Sequence, residues 1–270
     1  MDVFRRQIAL PQDHGAWVFL FSPLLIGLFA GKTFSIASVV LIIAALAAFL
    51  LRQPVSILVK VYSGRRPKRD LPAARFWTLA YSAVGLAAVI SLARLGFGSL
   101  LLVAIPGAPV FIWHLVLVSR RAERRQPGVE ILGAGVLALS APAAYWVGAG
   151  APATVGWWLF LLTWFQSAAS IVYAYLRLSQ RELRTAPKPS QKIRMAWRAL
   201  LYTSFNLAAV LAFSFAGALP PLLPIPYAAQ WAETLYGTLR PATGQKPTQI
   251  GLRQFAVSAL FTLLFILTWR

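Results

Sequence analysis

The sequence predicts an all-α protein, a polytopic membrane helical bundle of about nine transmembrane helices that forms a single domain over residues 1–270. Three observations predict it. The chain is 59% hydrophobic and only 12% charged, whereas a soluble domain carries about a quarter charged residues. Several apolar runs reach the roughly 18 residues that indicate a membrane-spanning helix. Basic residues alternate between dense and sparse connections along the chain.

Nine apolar segments follow one another along the chain. They cover residues 16–30, 34–51, 76–93, 97–118, 129–149, 156–176, 197–217, 219–235 and 255–269. The second segment continues with helical spacing through LLRQPVSILVKVYSG. We therefore expect its helix to extend past the membrane, with RRPKRDLP forming the turn that follows.

The eighth segment, ALPPLLPIPYAAQWAETLYG, is the weakest of the nine because it holds four prolines and Glu233. Proline removes a helical hydrogen bond and kinks the chain. Both a full span and a broken, re-entrant element fit this sequence. With eight spans the C-terminus would lie on the same side of the membrane as the N-terminus.

Lysine and arginine determine the predicted topology. Two precede the first segment, seven lie in the connection 52–75, four in 119–127, seven in 177–198 and three in the connection after the eighth segment. The other side keeps only Lys32, Arg94 and Arg270. The positive-inside rule then places the N-terminus in the cytoplasm. The net charge of +19 thereby indicates a surface facing anionic lipid, and we expect no nucleic-acid partner.

The residue types also limit the chemistry. The chain has no cysteine, which excludes disulfides, thiolate metal sites and cysteine nucleophiles. It has only seven acidic residues, so a magnesium site built from carboxylates is not expected. We predict no cofactor.

Polar side chains recur at helical spacing within the apolar segments, and the faces that they form are candidate binding surfaces. The candidate binding residues are Arg52, Gln53, Lys60, His114, Gln166, Tyr173, Arg177, Arg181, Arg198 and Asn206. In the predicted topology all of them lie in the cytoplasmic half, so they could line one cavity with a positive rim. The alternative is structural, because amide side chains join neighbouring membrane helices and arginines near helix ends reach to lipid headgroups.

An Asp-His pair, Asp13 and His14, stands directly before the first apolar segment in IALPQDHGAW. Asp13 could cap the helix by accepting hydrogen bonds from backbone N–H groups. His14, oriented by Asp13, could instead act as a proton acceptor, since imidazole titrates near neutral pH. These two residues are the candidate catalytic groups.

A basic cavity inside a membrane suits a ligand with an anionic head and a long apolar tail. Guanidinium groups match phosphate oxygens in geometry and charge. Phospholipids, isoprenoid diphosphates and acidic quinone precursors all fit this description, and membrane lipids are the expected partners.

Four motifs carry a family resemblance: PQDHGAWVFLFSPLLIG, FLLRQPVSILVK, RRPKRDLPAARFWTLAY and EILGAGVLALSAPAAY. They resemble the YwiC-like family of bacterial membrane proteins, whose signature is an HGAW-type start, a following P-x-x-x-G and an R-Q-P at the end of helix two. The matching residues are His14, Gly15, Ala16, Trp17, Pro23, Gly27, Arg52, Gln53 and Pro54. The resemblance implies a multi-pass protein of a bacterial cytoplasmic membrane and names no activity.

The predicted nine helices and the two large connections are also similar, more distantly, to the UbiA prenyltransferase superfamily. That superfamily transfers an isoprenyl group from its diphosphate, which Asp-rich motifs in the same two connections hold through Mg²⁺. Here 52–75 contains only Asp70 and 177–198 only Glu182. The likeness therefore implies either that arginines and Lys60 hold a diphosphate without metal or that prenyl transfer has been lost.

Two function classes follow. The first is a membrane protein with a basic, cytoplasm-facing cavity for an amphipathic anionic lipid or prenyl diphosphate, with a divergent prenyl transfer if it is an enzyme. The second is non-catalytic, a transporter or a subunit of a respiratory or photosynthetic membrane complex. A cavity among the polar faces favours the first, and close contacts between those faces favour the second.

Overall fold

The structure is a computed structural model that describes residues 4–11, 15–122, 126–183, 185 and 187–269. It is 81% helical and has no strand in these ranges. The helices are α1 Arg6–Ala9, α2 Ala16–Ala30, α3 Ile36–Tyr62, α4 Leu71–Leu92, α5 Leu100–Ala104, α6 Gly107–Ser119, α7 Pro127–Ala138, α8 Ser140–Ala149, α9 Thr154–Arg181, α10 Pro189–Phe215, α11 Pro224–Leu239 and α12 Pro247–Thr268. A 3₁₀ turn at Lys68–Asp70 precedes α4, and a π-helical turn at Ala93–Phe97 follows it.

Seven helical stretches of the described chain are long and apolar enough to cross a membrane. They are Ile36–Tyr62, Lys68–Phe97, Leu100–Ser119, Pro127–Ala149, Thr154–Arg181, Pro189–Phe215 and Pro247–Thr268. The first and eighth predicted segments are helices too, but α2 has 15 residues and α11 has 16. Seven of the nine predicted spans are therefore matched by helices of sufficient length and apolar composition, and the other two stay predictions.

Four helices begin at a proline, and this local signal explains their boundaries. Pro127, Pro189, Pro224 and Pro247 each occupy the first turn of α7, α10, α11 and α12. The missing N–H of proline costs nothing there, because the first N–H groups of a helix have no internal partner. For α11 this places the prolines before or within the first turn, so the helix is continuous and not the broken element that the sequence left open.

The short helix α2 lies at the centre of the bundle, in contact with α3, α7, α8, α9 and α12. Gly27 allows α2 to pack closely against α8. A Cβ at Gly27 would lie 2.9 Å from the Cβ of Ala144 and closer still to the carbonyl oxygen of Ala141. The glycine of the P-x-x-x-G motif therefore lets α2 and α8 meet backbone to backbone.

Helix α3 continues past the apolar run, as predicted, and turns into α4 through the basic segment that ends in Asp70. Asp70 is buried and ties down the N-terminal helix α1. Its Oδ1 lies 3.0 Å from Nη1 of Arg5, and its Oδ2 lies 3.5 Å from Nε of Arg66. The N-terminal helix is thereby fixed against the α3–α4 hairpin.

The helix ends that carry most of the basic residues meet at one end of the bundle. Here α3, α6, α9 and α11 end and α2, α7, α10 and α12 begin. The side chain of Arg65 donates a hydrogen bond to the carbonyl of Val118, which joins the ends of α3 and α6. Lys192 Nζ lies 3.0 Å from the carbonyl oxygen of Leu239, which joins the start of α10 to the end of α11. We call this the basic end.

Candidate functional site

A large cavity opens among α2, α3, α6, α7, α9 and α12. Its volume is about 2060 Å³, well above the roughly 300–1,000 Å³ of small-molecule sites. Part of it reaches between the ends of α4 and α5.

The two ends of the cavity differ in polarity. The basic end is lined by Arg52, Lys60, Arg65, His114, Glu130, Tyr175, Arg181 and Glu182. The opposite end is lined by apolar side chains, among them Leu41, Val89, Leu92, Phe97, Leu100, Val103 and Ala143. The cavity is therefore amphipathic along its length, with ionic groups at one end only.

Two contacts at the basic end orient the ionic side chains. The hydroxyl of Tyr175 donates a hydrogen bond of 2.6 Å to Oε1 of Glu130, which links α9 to the first turn of α7. The guanidinium of Arg52 lies 5.7 Å from the ring centre of Phe49, one turn earlier on α3. A cation over a ring face is attracted to it, so Phe49 helps to direct Arg52.

Five of the ten predicted binding residues line this cavity. They are Arg52, Gln53, Lys60, His114 and Arg181. Gln53 Nε2 also donates a hydrogen bond of 3.1 Å to the carbonyl of Gln7, so one amide group of the cavity wall holds α1. Arg52, Ser56 and Lys60, which follow one another every four residues along α3, all line the cavity.

Arg177 lies elsewhere, in the interface between α9 and α11. It is 2% exposed. Its Nη1 lies 2.9 Å from the carbonyl oxygen of Gly237 and 2.7 Å from that of Arg240, at the end of α11. The last carbonyls of a helix have no partner within the helix, and Arg177 supplies one from the neighbouring helix. Its donors are thereby directed at protein and away from the cavity.

Tyr173 and Gln166 also face α11. The hydroxyl of Tyr173 donates to Oε1 of Glu233 at 2.9 Å. The backbone carbonyl of Gln166 accepts a hydrogen bond of 3.1 Å from Nε2 of Gln230. Both residues are buried, and their contacts join helices without lining the cavity.

The predicted binding residues of α10 do not line this cavity. Asn206 is buried, and its Nδ2 donates a hydrogen bond of 2.8 Å to the carbonyl of Phe165 on α9. Arg198 is exposed on the outside of the bundle, 5.4 Å from the ring centre of Trp197. The reason is that Ala196, Ala199 and Thr203 form the buried face of α10, which leaves Arg198 pointing outward.

Asp13 and His14, the predicted catalytic pair, lie outside the described residues. Gly15 and Ala16, which follow them directly, line the cavity.

Several cavity residues were not predicted: Arg65, Glu130, Tyr175 and Glu182. Tyr175, Ser179 and Glu182 are spaced by four and three residues, the same helical signal that singled out the neighbouring face of α9. The described residues contain no group of three or more His, Cys, Asp or Glu side chains that could hold a metal ion.

Comparison with known proteins gives one family match. A family model described as YwiC-like protein matches residues 10–145, slightly more than half of the chain. The matched part runs from before α2 into α8 and contributes Arg52, Lys60, His114 and Glu130 to the cavity. No curated protein and no solved structure matches the chain.

Proposed function

The chain belongs to the YwiC-like protein family, and from that premise we propose that it is a membrane protein whose cavity binds an amphipathic anionic lipid. The ligand class includes phospholipids and prenyl diphosphates. One observation carries the proposal: ionic side chains occupy one end of a cavity of about 2060 Å³, and apolar side chains line the other.

The charges at the basic end favour an anionic head. Arg52, Lys60, Arg65 and Arg181 supply four positive charges, and Glu130 and Glu182 supply two negative charges. Arginine binds phosphate oxygens through two parallel N–H groups, and lysine binds them as a point charge. The apolar end removes the tail from water, which stabilises binding in proportion to the buried apolar area.

We propose that the basic end faces the cytoplasm of a bacterial cell, because the dense basic connections mark that side. The ligand would then come from the inner leaflet or from the cytoplasm. We also propose that α2 and α11 complete nine spans of one transmembrane domain.

We limit the proposal to binding. Asp13 and His14, with which the sequence predicts acid–base chemistry, lie outside the described residues. If a prenyl diphosphate is found bound to the protein, prenyl transfer of the UbiA type becomes the reaction to assay.

Lipid extraction and native mass spectrometry of the detergent-purified protein test the proposal. We expect an anionic lipid or prenyl diphosphate to copurify with the wild type and to be reduced at least tenfold in Arg52→Ala/Lys60→Ala. Each charge-assisted hydrogen bond contributes about 1.5–3 kcal/mol, and about 1.4 kcal/mol corresponds to a tenfold change in affinity.

The matched control is Arg194→Ala/Arg198→Ala, which removes two exposed positive charges of α10 that do not line the cavity. Circular dichroism and thermal melting establish that both variants fold. Equal lipid content in the two double variants would refute the proposal. A copurifying protein in place of a specific lipid would support the alternative, a subunit of a membrane complex.

A further inference from the structure

A second, smaller depression lies between α11 and α12, on a different face of α12 from the cavity. Its volume is about 320 Å³. We call it the α11–α12 groove, and its lining consists of Pro226, Ala229, Gln230, Ala232, Glu233, Tyr236, Arg253, Val257, Leu260 and Phe261. None of these residues lines the cavity, so the two are separate sites.

Arg253 is held in place where the groove approaches the basic end of the bundle. Nε and Nη2 of Arg253 lie 2.6 Å and 2.7 Å from the two carboxylate oxygens of Glu233. This bidentate pair fixes the guanidinium plane, while the Arg253 side chain stays 41% exposed. A positioned and accessible guanidinium is suited to receive an external anion.

A second arginine faces the same aromatic ring. The guanidinium carbons of Arg253 and Arg240 lie 4.2 Å and 5.6 Å from the ring centre of Tyr236. Both side chains are drawn to the ring by the cation–π attraction. Two guanidinium groups are thereby gathered around Tyr236, which lines the groove together with Arg253.

The local charge balance is positive. Glu233 neutralises one of the two arginines, and Lys246 adds a further positive charge in the connection between α11 and α12. Lys192 reaches the end of α11 from the start of α10. The excess charge complements an anion at this end.

The remaining wall of the groove is mostly apolar, and two of its residues on α11 are small. Ala229 and Ala232 on α11 face Val257 and Leu260 on α12. Small side chains leave a channel at the helix–helix boundary that a single acyl chain can fill.

We propose that the α11–α12 groove binds one anionic phospholipid of the surrounding bilayer, with its phosphate between Arg240 and Arg253 and one acyl chain between the helices. This site is independent of the lipid proposed for the cavity. It resembles in chemistry the basic pockets between membrane helices that bind acidic headgroups.

Native mass spectrometry with defined lipids tests the inference. The delipidated protein is titrated with phosphatidylglycerol and, separately, with phosphatidylcholine of the same acyl chains. For Arg240→Ala we expect the affinity for phosphatidylglycerol to fall about tenfold, the loss of one charge-assisted hydrogen bond. The backbone carbonyl of Arg240 still receives Arg177 in this variant, so α11 keeps its cap.

Two comparisons make the test decisive. Arg198→Ala removes an exposed arginine that also lies over an aromatic ring, and we expect it to retain wild-type affinity. Ala229→Phe fills the groove and should weaken phosphatidylglycerol binding without changing any charge. Equal affinities of Arg240→Ala and Arg198→Ala, or equal retention of the two lipids by the wild type, would overturn the inference.

The same titration separates this site from the cavity. Arg52→Ala/Lys60→Ala should lose the phosphatidylglycerol bound in the cavity and retain one phosphatidylglycerol bound in the groove. Loss of all bound phosphatidylglycerol in that variant, with no loss in Arg240→Ala, would assign the bound lipid to the cavity and contradict a site in the groove.

Discussion

Replacing Arg177 by methionine should destabilise the protein strongly without emptying the cavity. The guanidinium is buried, and Nη1 lies within 3.0 Å of Oε1 of Gln180 and of the carbonyl oxygens of Gly237 and Arg240. Methionine keeps most of the volume and removes every donor. The substitution therefore isolates the contribution of the hydrogen bonds.

The magnitude follows from which acceptors keep another partner. The carbonyl of Gly237 still accepts from Nε2 of Gln180 at 3.1 Å, and Oε1 of Gln180 still accepts from the N–H of Ala242 at 3.2 Å. The carbonyl of Arg240 loses its Arg177 hydrogen bond altogether. Each hydrogen bond to a charged donor contributes about 1.5–3 kcal/mol, and release of the buried charge offsets part of the loss. We expect a destabilisation of about 3 kcal/mol.

Thermal unfolding in detergent, followed by tryptophan fluorescence, measures this loss. About 3 kcal/mol corresponds to a decrease in Tm of roughly 6–12 °C for a chain of this size. The control Arg198→Met removes an exposed arginine and should change Tm by no more than about 2 °C. Suppose that Arg177→Met has the same Tm as Arg198→Met but loses bound lipid. Arg177 would then be a ligand-binding residue, and its role as a cap of α11 would be refuted.

Three further substitutions test the fold. Gly27→Ala should lower the free energy of unfolding by about 2 kcal/mol, because the added methyl group meets the backbone of α8. The control Gly133→Ala, with open space around it, should raise that free energy by about 0.5–1 kcal/mol. Equal melting temperatures of the two variants would contradict the close α2–α8 contact. Asp70→Asn should accelerate amide hydrogen exchange in α1, because it weakens the ion pairs of Asp70 with Arg5 and Arg66. If α1 exchanges at the same rate in Asp70→Asn and in the control Lys68→Ala, Asp70 does not hold α1 in place. Asn206→Leu should cost about 0.6–1.7 kcal/mol, as interhelical hydrogen bonds in membranes do, and no measurable change in Tm would show that its hydrogen bond to α9 is not stabilising.

The sequence predicts one wall of the cavity well and the other poorly. Arg52, Ser56 and Lys60 repeat every four residues on α3, and all three line the cavity. The same spacing on α9 selects Tyr173 and Arg177, which face α11 instead. A membrane helix must turn its polar groups away from lipid in either case. Spacing therefore identifies the polar face but not whether a cavity or another helix lies beside it.

The role of Arg177 depends on a contact that no local pattern reveals. Its acceptors lie 60 and 63 residues further along the chain, at the end of α11. The prolines of the eighth segment obscured where that helix begins, and so also where its last carbonyls lie. In the structure α11 ends at Leu239, and the buried Arg177 beside that end caps its last carbonyl groups.

The difference between seven candidate spans and nine apolar segments comes from helix length. Both α2 and α11 are about one turn shorter than a typical membrane helix, and of the two only α2 also has the apolar composition of a span. The sequence already shows the length of α2, because the first apolar segment is residues 16–30, but it does not show that of α11, which begins five residues after the predicted start at residue 219.

The shortness of α2 has an electrical consequence. At 1.5 Å per residue its 15 residues extend about 22 Å, against about 30 Å for the hydrocarbon core of a bilayer. Where water enters only the basic end of the cavity, the transmembrane voltage falls over the apolar length of the cavity beside α2. An anionic headgroup that only binds in the cavity therefore experiences almost none of that voltage. A headgroup that crossed the full membrane would change its electrostatic energy by about 2.3 kcal/mol per charge for each 100 mV. A measured membrane current would therefore distinguish transport of the lipid from binding.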